Sequence, residues 1–264
     1  MARLRYRLVD VFASTTFTGN PLCVVLDECP PDLMPRIARE VNLSETTFPT
    51  VTGAASYSMR IFTPTIELPF AGHPSIGTAW CMGPGRWEQT TAGATVSVLA
   101  TEAGARMTQP APQLTDLDRM EAEVVAAVGL ASAEHVVRST AGGVTHILVC
   151  TDHPLDQLKP DLDAVAAASR RCDAHTIVPM RRSNDTTVQA RVFAPAVGVP
   201  EDPGSGSAAG PVALVAREVW RTDAHVAVLM GAEVGRPSRI DVEIADELWV
   251  GGAVVMSAEG QFYT

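Results

Sequence analysis

Several things scarce or missing in this 264-residue chain narrow what it can do. Basic residues are outnumbered, 20 Lys and Arg against 30 Asp and Glu, and a net charge of −10 repels a phosphate backbone, so nucleic acid is not an expected partner. The longest charge-free apolar-rich stretch, Leu68 to Gly85, is interrupted by Pro69, Pro74 and Pro84, unlike a membrane helix of about 20 residues. The segment Met1 to Val11 is basic and then β-like, without the apolar stretch and small-residue cleavage site of a secretory signal. The five cysteines, Cys23, Cys29, Cys81, Cys150 and Cys172, are odd in number and form no C-x-x-C pair. They are expected to be reduced, mostly buried thiols of a cytoplasmic protein.

Cofactor motifs are equally sparse. There is no Gly-x-x-x-x-Gly-Lys-Ser/Thr loop, and the six histidines show no His-x-His or His-Glu-x-x-His spacing. Gly204-x-Gly206-x-x-Ala209 fits the loose dinucleotide fingerprint, but it follows Pro200-Glu201-Asp202-Pro203 and not a hydrophobic strand. Neither a metal nor a nucleotide cofactor is expected.

What is present is a globular balance, 46% apolar and 19% charged residues, in a length that suits one large domain or two ordinary ones. Tyr6 to Leu26 reads as strand, loop, strand, with the break at Phe17-Thr18-Gly19-Asn20-Pro21. Leu33, Ile37 and Val41 share one helical face over Pro31 to Val41, with Asn42 placed to end the helix. Thr46 to Val51, Ser56 to Phe62, Thr95 to Leu99 and Gly104 to Thr108 are β-like. Ala122 to Val128 and Leu162 to Ser169 have the apolar spacing of surface helices, and Trp249 to Ser257 reads as a last strand.

An internal echo organises these pieces. Arg60-Ile61-Phe62-Thr63-Pro64, then Pro69, recurs 131 residues later as Arg191-Val192-Phe193-Ala194-Pro195, then Pro200. In each copy a strand leads through a proline-bounded loop into a small-residue helix without a charged face, one starting near His73 and the other near Ser205. Such a helix must be buried on all sides, and a curved antiparallel sheet wrapped around it is the simplest solution. Gln109-Pro110-Ala111-Pro112-Gln113 is the expected linker. A helix amino terminus presents unsatisfied N–H groups and partial positive charge, so the two starts read either as a clamp for a carboxylate-bearing molecule or as close-packed helix starts.

Val9-Asp10-Val11-Phe12, Thr18-Gly19-Asn20-Pro21, Leu43-Ser44-Glu45-Thr46-Thr47-Phe48, Arg60-Ile61-Phe62-Thr63-Pro64 with Glu67-Leu68-Pro69-Phe70-Ala71-Gly72-His73-Pro74, and Glu201-Asp202-Pro203-Gly204-Ser205-Gly206-Ser207-Ala208 together resemble the PhzF family of phenazine-biosynthesis isomerases. The resemblance implies an α+β, diaminopimelate-epimerase-like fold of two pseudo-symmetric domains, each a rolled antiparallel sheet around a central helix, with the site in the cleft between them. The expected domains are residues 1–110, with a strand at about 251–264 returning to the first, and 114–250.

By the same resemblance Glu45 is the catalytic acid/base, His73, Asp202 and Ser207 bind substrate, and Gly72 and Gly206 lend backbone contacts. The implied activity is a cofactor-independent shift of a proton and a double bond in a small carboxylate-bearing, amino-bearing metabolite of secondary metabolism. Dihydro-3-hydroxyanthranilate of phenazine or antibiotic biosynthesis is the family's substrate, and an alkylproline-type intermediate is compatible. A homodimer is also implied. Amino-acid epimerisation and non-catalytic anion binding are the alternatives; racemases of this fold use a cysteine at each helix start, where this chain is expected to place His73 and Gly204.

Overall fold

The computed structural model describes residues 3–117 and 119–264; Met1 and Ala2 of the basic amino-terminal stretch, and Asp118, lie outside the described residues. The chain divides into two compact units, one running up to Thr108 and regaining Gly251–Thr264, the other Gln109–Val250. The first contains β1 (Arg3–Val11), β2 (Asn20–Val25), α1 (Met34–Val41), β3 (Glu45–Gly53), β4 (Ser56–Phe62), β5 (Glu67–Leu68), α2 (Gly72–Met82), β6 (Gly85–Thr90), β7 (Thr95–Ala100) and β8 (Gly104–Gln109), whose last residue, Gln109, already belongs to the second unit. The second contains β9 (Gln113–Asp116), α3 (Glu121–Ala127), β10 (His135–Ala141), β11 (Val144–Cys150), α4 (Leu162–Arg171), β12 (Thr176–Asn184), β13 (Thr187–Ala190), β14 (Val192–Ala194), β15 (Val199–Asp202), α5 (Gly206–Trp220), β16 (His225–Met230) and β17 (Ser238–Ile244). A long β18 (Leu248–Tyr263) ends the chain, pairing antiparallel with β1 from Val11 opposite Val254 to Arg3 opposite Tyr263.

In the first unit the strands form a circuit. β1 pairs with β2, β2 with β3, β3 with β4, β4 with β6, β6 with β7, β7 with β8, β8 with β18, and β18 returns to β1. Closure removes free edges and leaves an interior for one helix. α2 fills it, with Gly72 through Ala79 buried together with Cys81. Gly77 permits the fit: a Cβ there would stand 2.7 Å from Leu22 Cδ2 and 2.8 Å from Val11 Cγ2.

Most neighbouring strands are antiparallel, but β2 with β3 and β4 with β6 are parallel, because α1 and α2 carry the chain across between them. β2 is covered on both faces. Leu22 lies against α2, whereas Cys23 and Val25 pack with Met34, Ile37 and Ala38 of α1. That double coverage explains the unbroken apolar run Leu22-Cys23-Val24-Val25, where a half-solvated strand would alternate. Asn42 ends α1 in the left-handed conformation at φ 52°, as its side chain permits.

The second unit repeats the plan. β9, β10, β11, β12, β13, β16 and β17 pair in that order around α5, and the parallel pairs β11–β12 and β13–β16 again flank the crossings made by α4 and α5. α3 and α4 cover the outer face through Val124, Val128, Val165 and Ala168 against Ile147, Val149 and Ile177. The sequence echo also has a side-chain meaning. Arg60 forks onto Glu67 at 2.6 and 2.7 Å and lies over Phe62; Arg191 forks onto Glu201 at 2.9 and 2.8 Å and lies over Phe193. Each pair ties a strand to the short strand, β5 or β15, that leads into a central helix. All five cysteines are free and buried, and among the described residues no helix is long and apolar enough to cross a membrane.

Candidate active site

Glu45 opens β3, directly after the loop that leaves α1, and its register opposite Leu22 of the parallel β2 holds it beside the central helix. Ser44 donates to Asn20 Oδ1 at 3.2 Å, so two motifs distant in sequence, Thr-Gly-Asn-Pro and Leu-Ser-Glu-Thr, meet immediately before the carboxyl. Two residues on, on the same face, Thr47 shares a buried 2.8 Å hydroxyl contact with Thr78 of α2.

α2 begins at Gly72 and places His73 in its first turn. Glu45 Oε2 is 3.3 Å from His73 Nε2, and both atoms are buried. Burial disfavours the charged carboxylate and pushes Glu45 up to about 7; the hydroxyl of Ser44 opposes this only in part. The carboxyl is therefore poised to exchange a proton at neutral pH, which an exposed glutamate is not.

The second unit gathers the other residues singled out from sequence. Asp202 ends β15 and accepts from the Gly204 backbone N–H at 3.0 Å, turning the chain into α5. Ser205 precedes the helix, Gly206 begins it and Ser207 follows, with the two serine hydroxyls 3.2 Å apart. Gln109 Nε2 donates to the Ser207 carbonyl at 2.8 Å, its amide lying flat on Gly210, where any side chain would collide with it. The six residues thus form two groups: Glu45, Gly72 and His73 in the first unit, Asp202, Gly206 and Ser207 in the second. Because α5 starts at Gly206, the residue matching His73 is Ser207 and not Gly204, which lies in the preceding turn. No cysteine stands at either helix start. Cys81 lies at the far end of α2 and burial pushes its thiol up to about 12, the opposite of what a catalytic thiolate needs.

The family model for phenazine biosynthesis-like proteins, PhzC-PhzF, matches residues 9–260. The chain belongs to the PhzC-PhzF family. It is 36% identical to the trans-2,3-dihydro-3-hydroxyanthranilate isomerase of Pseudomonas fluorescens, over 88% of this chain and 87% of that protein. The enzyme of the same name from Pseudomonas aeruginosa is 35% identical, over 98% of this chain and 99% of the other. A solved PhzF-family structure from Bacillus anthracis superposes over 100% of both chains with a TM-score of 0.86 at 22% identity, which establishes the shared fold. With these relatives, the protein is an isomerase of the PhzF type.

Within this PhzF-family frame the second unit holds a polar group that motif reading passed over. The 131-residue offset that carries Arg60 onto Arg191 also carries Glu45 onto Thr176. Thr176 Oγ1 lies 2.7 Å from Nδ1 of His146, its register partner in the parallel β11–β12 pair, as Leu22 is to Glu45. Burial, with His175 nearby, pulls His146 down to about 4, and the Ser207 backbone only partly offsets this. Applying the offset to Glu45 was the available signal for this cluster.

Proposed function

We propose that this protein converts a small carboxylate- and amino-bearing metabolite, of the trans-2,3-dihydro-3-hydroxyanthranilate type, into its double-bond isomer without metal or organic cofactor. The reading rests on one observation above all: a glutamate with its Oε2 buried and poised near neutrality, 3.3 Å from a buried histidine at a helix start. The Glu45 carboxylate takes a proton from carbon. The C–H electron pair forms the new double bond, and the electrons of the old one take the proton back from the Glu45 carboxylic acid at a second carbon. Atoms and charge balance with no co-reactant.

His73 stabilises Glu45 and orients the substrate from the start of α2. Asp202 and Ser207 hold its amino and carboxylate groups, helped by the backbone N–H groups at Gly72 and Gly206. The buried thiols give no support to two-thiol epimerisation, since each of Cys23, Cys81 and Cys150 is pushed up to about 12. A homodimer belongs to the same proposal, and sedimentation at twice the chain mass tests it.

The deciding experiment incubates purified protein with trans-2,3-dihydro-3-hydroxyanthranilate and follows loss of substrate absorbance and the isomeric product by mass-resolved chromatography, with and without excess chelator. Equal turnover in both arms, abolished in Glu45→Gln, is the expected result. Activity lost on chelation and restored by one metal ion overturns the cofactor-independent mechanism.

A further inference from the structure

Three hydrogen bonds, two of them buried, run from the sheet of the first unit to the start of its central helix. Tyr57 Oη on β4 donates to Gln89 Oε1 at 2.8 Å, Gln89 Nε2 on β6 donates to Ser75 Oγ at 2.7 Å, and Ser75 Oγ donates to the Ala71 carbonyl at 2.8 Å. All three side chains are fully shielded from solvent. The bonds point the same way along the chain of groups, so each polarises the next. Their end point is Ala71, the extended residue before Gly72 and His73, which has no side-chain cap of its own.

A buried tyrosine, glutamine and serine are an expensive way to fill this space. An internal hydrogen bond adds little net stability because it replaces bonds to water, and well-packed apolar residues serve a core at least as well. What the polar relay adds is direction. Apolar packing alone gives a smooth small-residue helix such as α2 no directional tie, whereas the 2.7 Å bond from Gln89, itself oriented by Tyr57, tethers Ser75 in its first turn to β6. On the side of β3, the Thr47–Thr78 contact fixes the same helix to the strand that begins with Glu45. The second unit has a shorter version of the device, Gln109 donating directly to the Ser207 carbonyl at the start of α5.

We infer that Tyr57, Gln89 and Ser75 are positioning residues that act through the Ala71 carbonyl to set the approach of His73 to Glu45. The inference rests on the reading of Glu45 and His73 as the reacting pair, and neither Tyr57 nor Gln89 contacts substrate in it. Because α2 is closed in by the sheet, a local shift of a few tenths of an ångström at its first turn reaches His73 undamped.

The test uses the full chain carrying 13C-labelled histidine, with the His73 ring resonances assigned by their loss in His73→Gln. Glu45→Gln calibrates how far those resonances move when the Glu45 contact changes. Tyr57→Phe, which deletes one oxygen, and Gln89→Leu are expected to displace them by at least half that amount while leaving those of exposed His225 in place. On trans-2,3-dihydro-3-hydroxyanthranilate both variants should lower kcat roughly ten- to hundredfold with KM changed less than about threefold. A drop in Tm with His73 resonances and kcat as in the wild type makes the relay structural only and overturns the inference. If Gln89→Leu does not fold, Tyr57→Phe decides alone. Failure of the functional reading is distinguishable: there Glu45→Gln itself leaves the His73 resonances or turnover unchanged.

Discussion

Glu45 and Thr176 occupy the same station in the two halves of the chain, each opposite its parallel neighbour at the start of the strand that follows a crossing helix. Only Glu45 is ionisable. In the second unit the ionisable group has moved to the neighbouring strand as His146, which is held near 4 and so remains a neutral imidazole at pH 7, while Glu45 at about 7 is divided between acid and base. Of the two groups, only Glu45 lies where it can both take and give a proton at neutral pH, as the proposed mechanism requires. One-base proton return suits a double-bond shift, in which the same group takes and gives the proton.

Glu45→Gln is expected to lower kcat by roughly 10²- to 10⁴-fold, the usual contribution of a general acid/base, with substrate affinity within a few-fold of wild type. In the wild type, kcat/KM should rise as pH passes about 7, because proton removal needs the carboxylate. Steady-state rates between pH 5 and 9 and calorimetric titration of the variant check both; a flat profile with retained activity removes Glu45 from the mechanism.

The same residue makes stability depend on pH. A carboxyl raised from 4.5 to about 7 on folding binds its proton more tightly in the native state. The associated stabilisation is complete below pH 4.5 and is lost as pH rises through 7, amounting to roughly 3 kcal/mol. Glu45→Gln has no such loss. Denaturant unfolding of both proteins should show the variant gaining on the wild type between pH 5 and pH 8, and an unchanged difference would mean that the carboxyl is not buried at neutral pH.

The architecture was legible in sequence because it was written twice. Arg60-Ile61-Phe62 and Arg191-Val192-Phe193 mark matching strands, and the apolar helices after them can be buried only inside a sheet. Parallel pairing was less legible: β2 and β3 look like any two strands, and only the crossing made by α1 reverses their relation. β6, Gly85-Arg86-Trp87-Glu88-Gln89-Thr90, is too polar to announce itself as a strand, yet its one fully buried side chain, Gln89, is the centre of the relay. α2 begins at Gly72 and α5 at Gly206, so the second residue of each helix is His73 in one and Ser207 in the other, whereas the constant 131-residue offset pointed to Gly204. Glu45 was singled out by its motif alone; that it comes within 3.3 Å of His73 depends on the depth of α2 in the barrel, which no local pattern encodes.

His73→Asn and Asp202→Asn should weaken substrate binding about tenfold or more while lowering kcat less than Glu45→Gln does, as positioning groups do when a hydrogen bond to a charged ligand is lost. Isothermal titration with substrate in the Glu45→Gln background isolates binding from turnover. Affinity unchanged in both double variants would assign His73 and Asp202 to the structure and not to the ligand.

Each of the five cysteines replaced singly by serine should cost stability, roughly 1–3 kcal/mol where the hydroxyl finds no partner, without a selective loss of kcat. Thermal unfolding and rate measurements on the same preparations separate the two effects. A folded variant that binds substrate but does not turn over would restore a thiol mechanism.

Turnover in heavy water follows the proton itself. Glu45 Oε2 is already buried in the free protein, and substrate covering the rest of the carboxyl leaves the abstracted proton little contact with water before it is returned. Product formed in deuterium oxide should therefore carry less than one full equivalent of deuterium at the protonated carbon, the remainder being hydrogen carried within the molecule. Partial incorporation is expected because a carboxylic acid exchanges whenever substrate loosens its cover, and the fraction should rise in Gln89→Leu, where His73 no longer holds its distance. A substrate deuterated at the abstracted position and turned over in ordinary water gives the mirror experiment, in which product must retain part of the label. Complete washout in both directions would mean that the proton equilibrates with solvent before it returns, or that a second group delivers it, and loss of the washout in His73→Asn would name His73, 3.3 Å from Glu45, as that group.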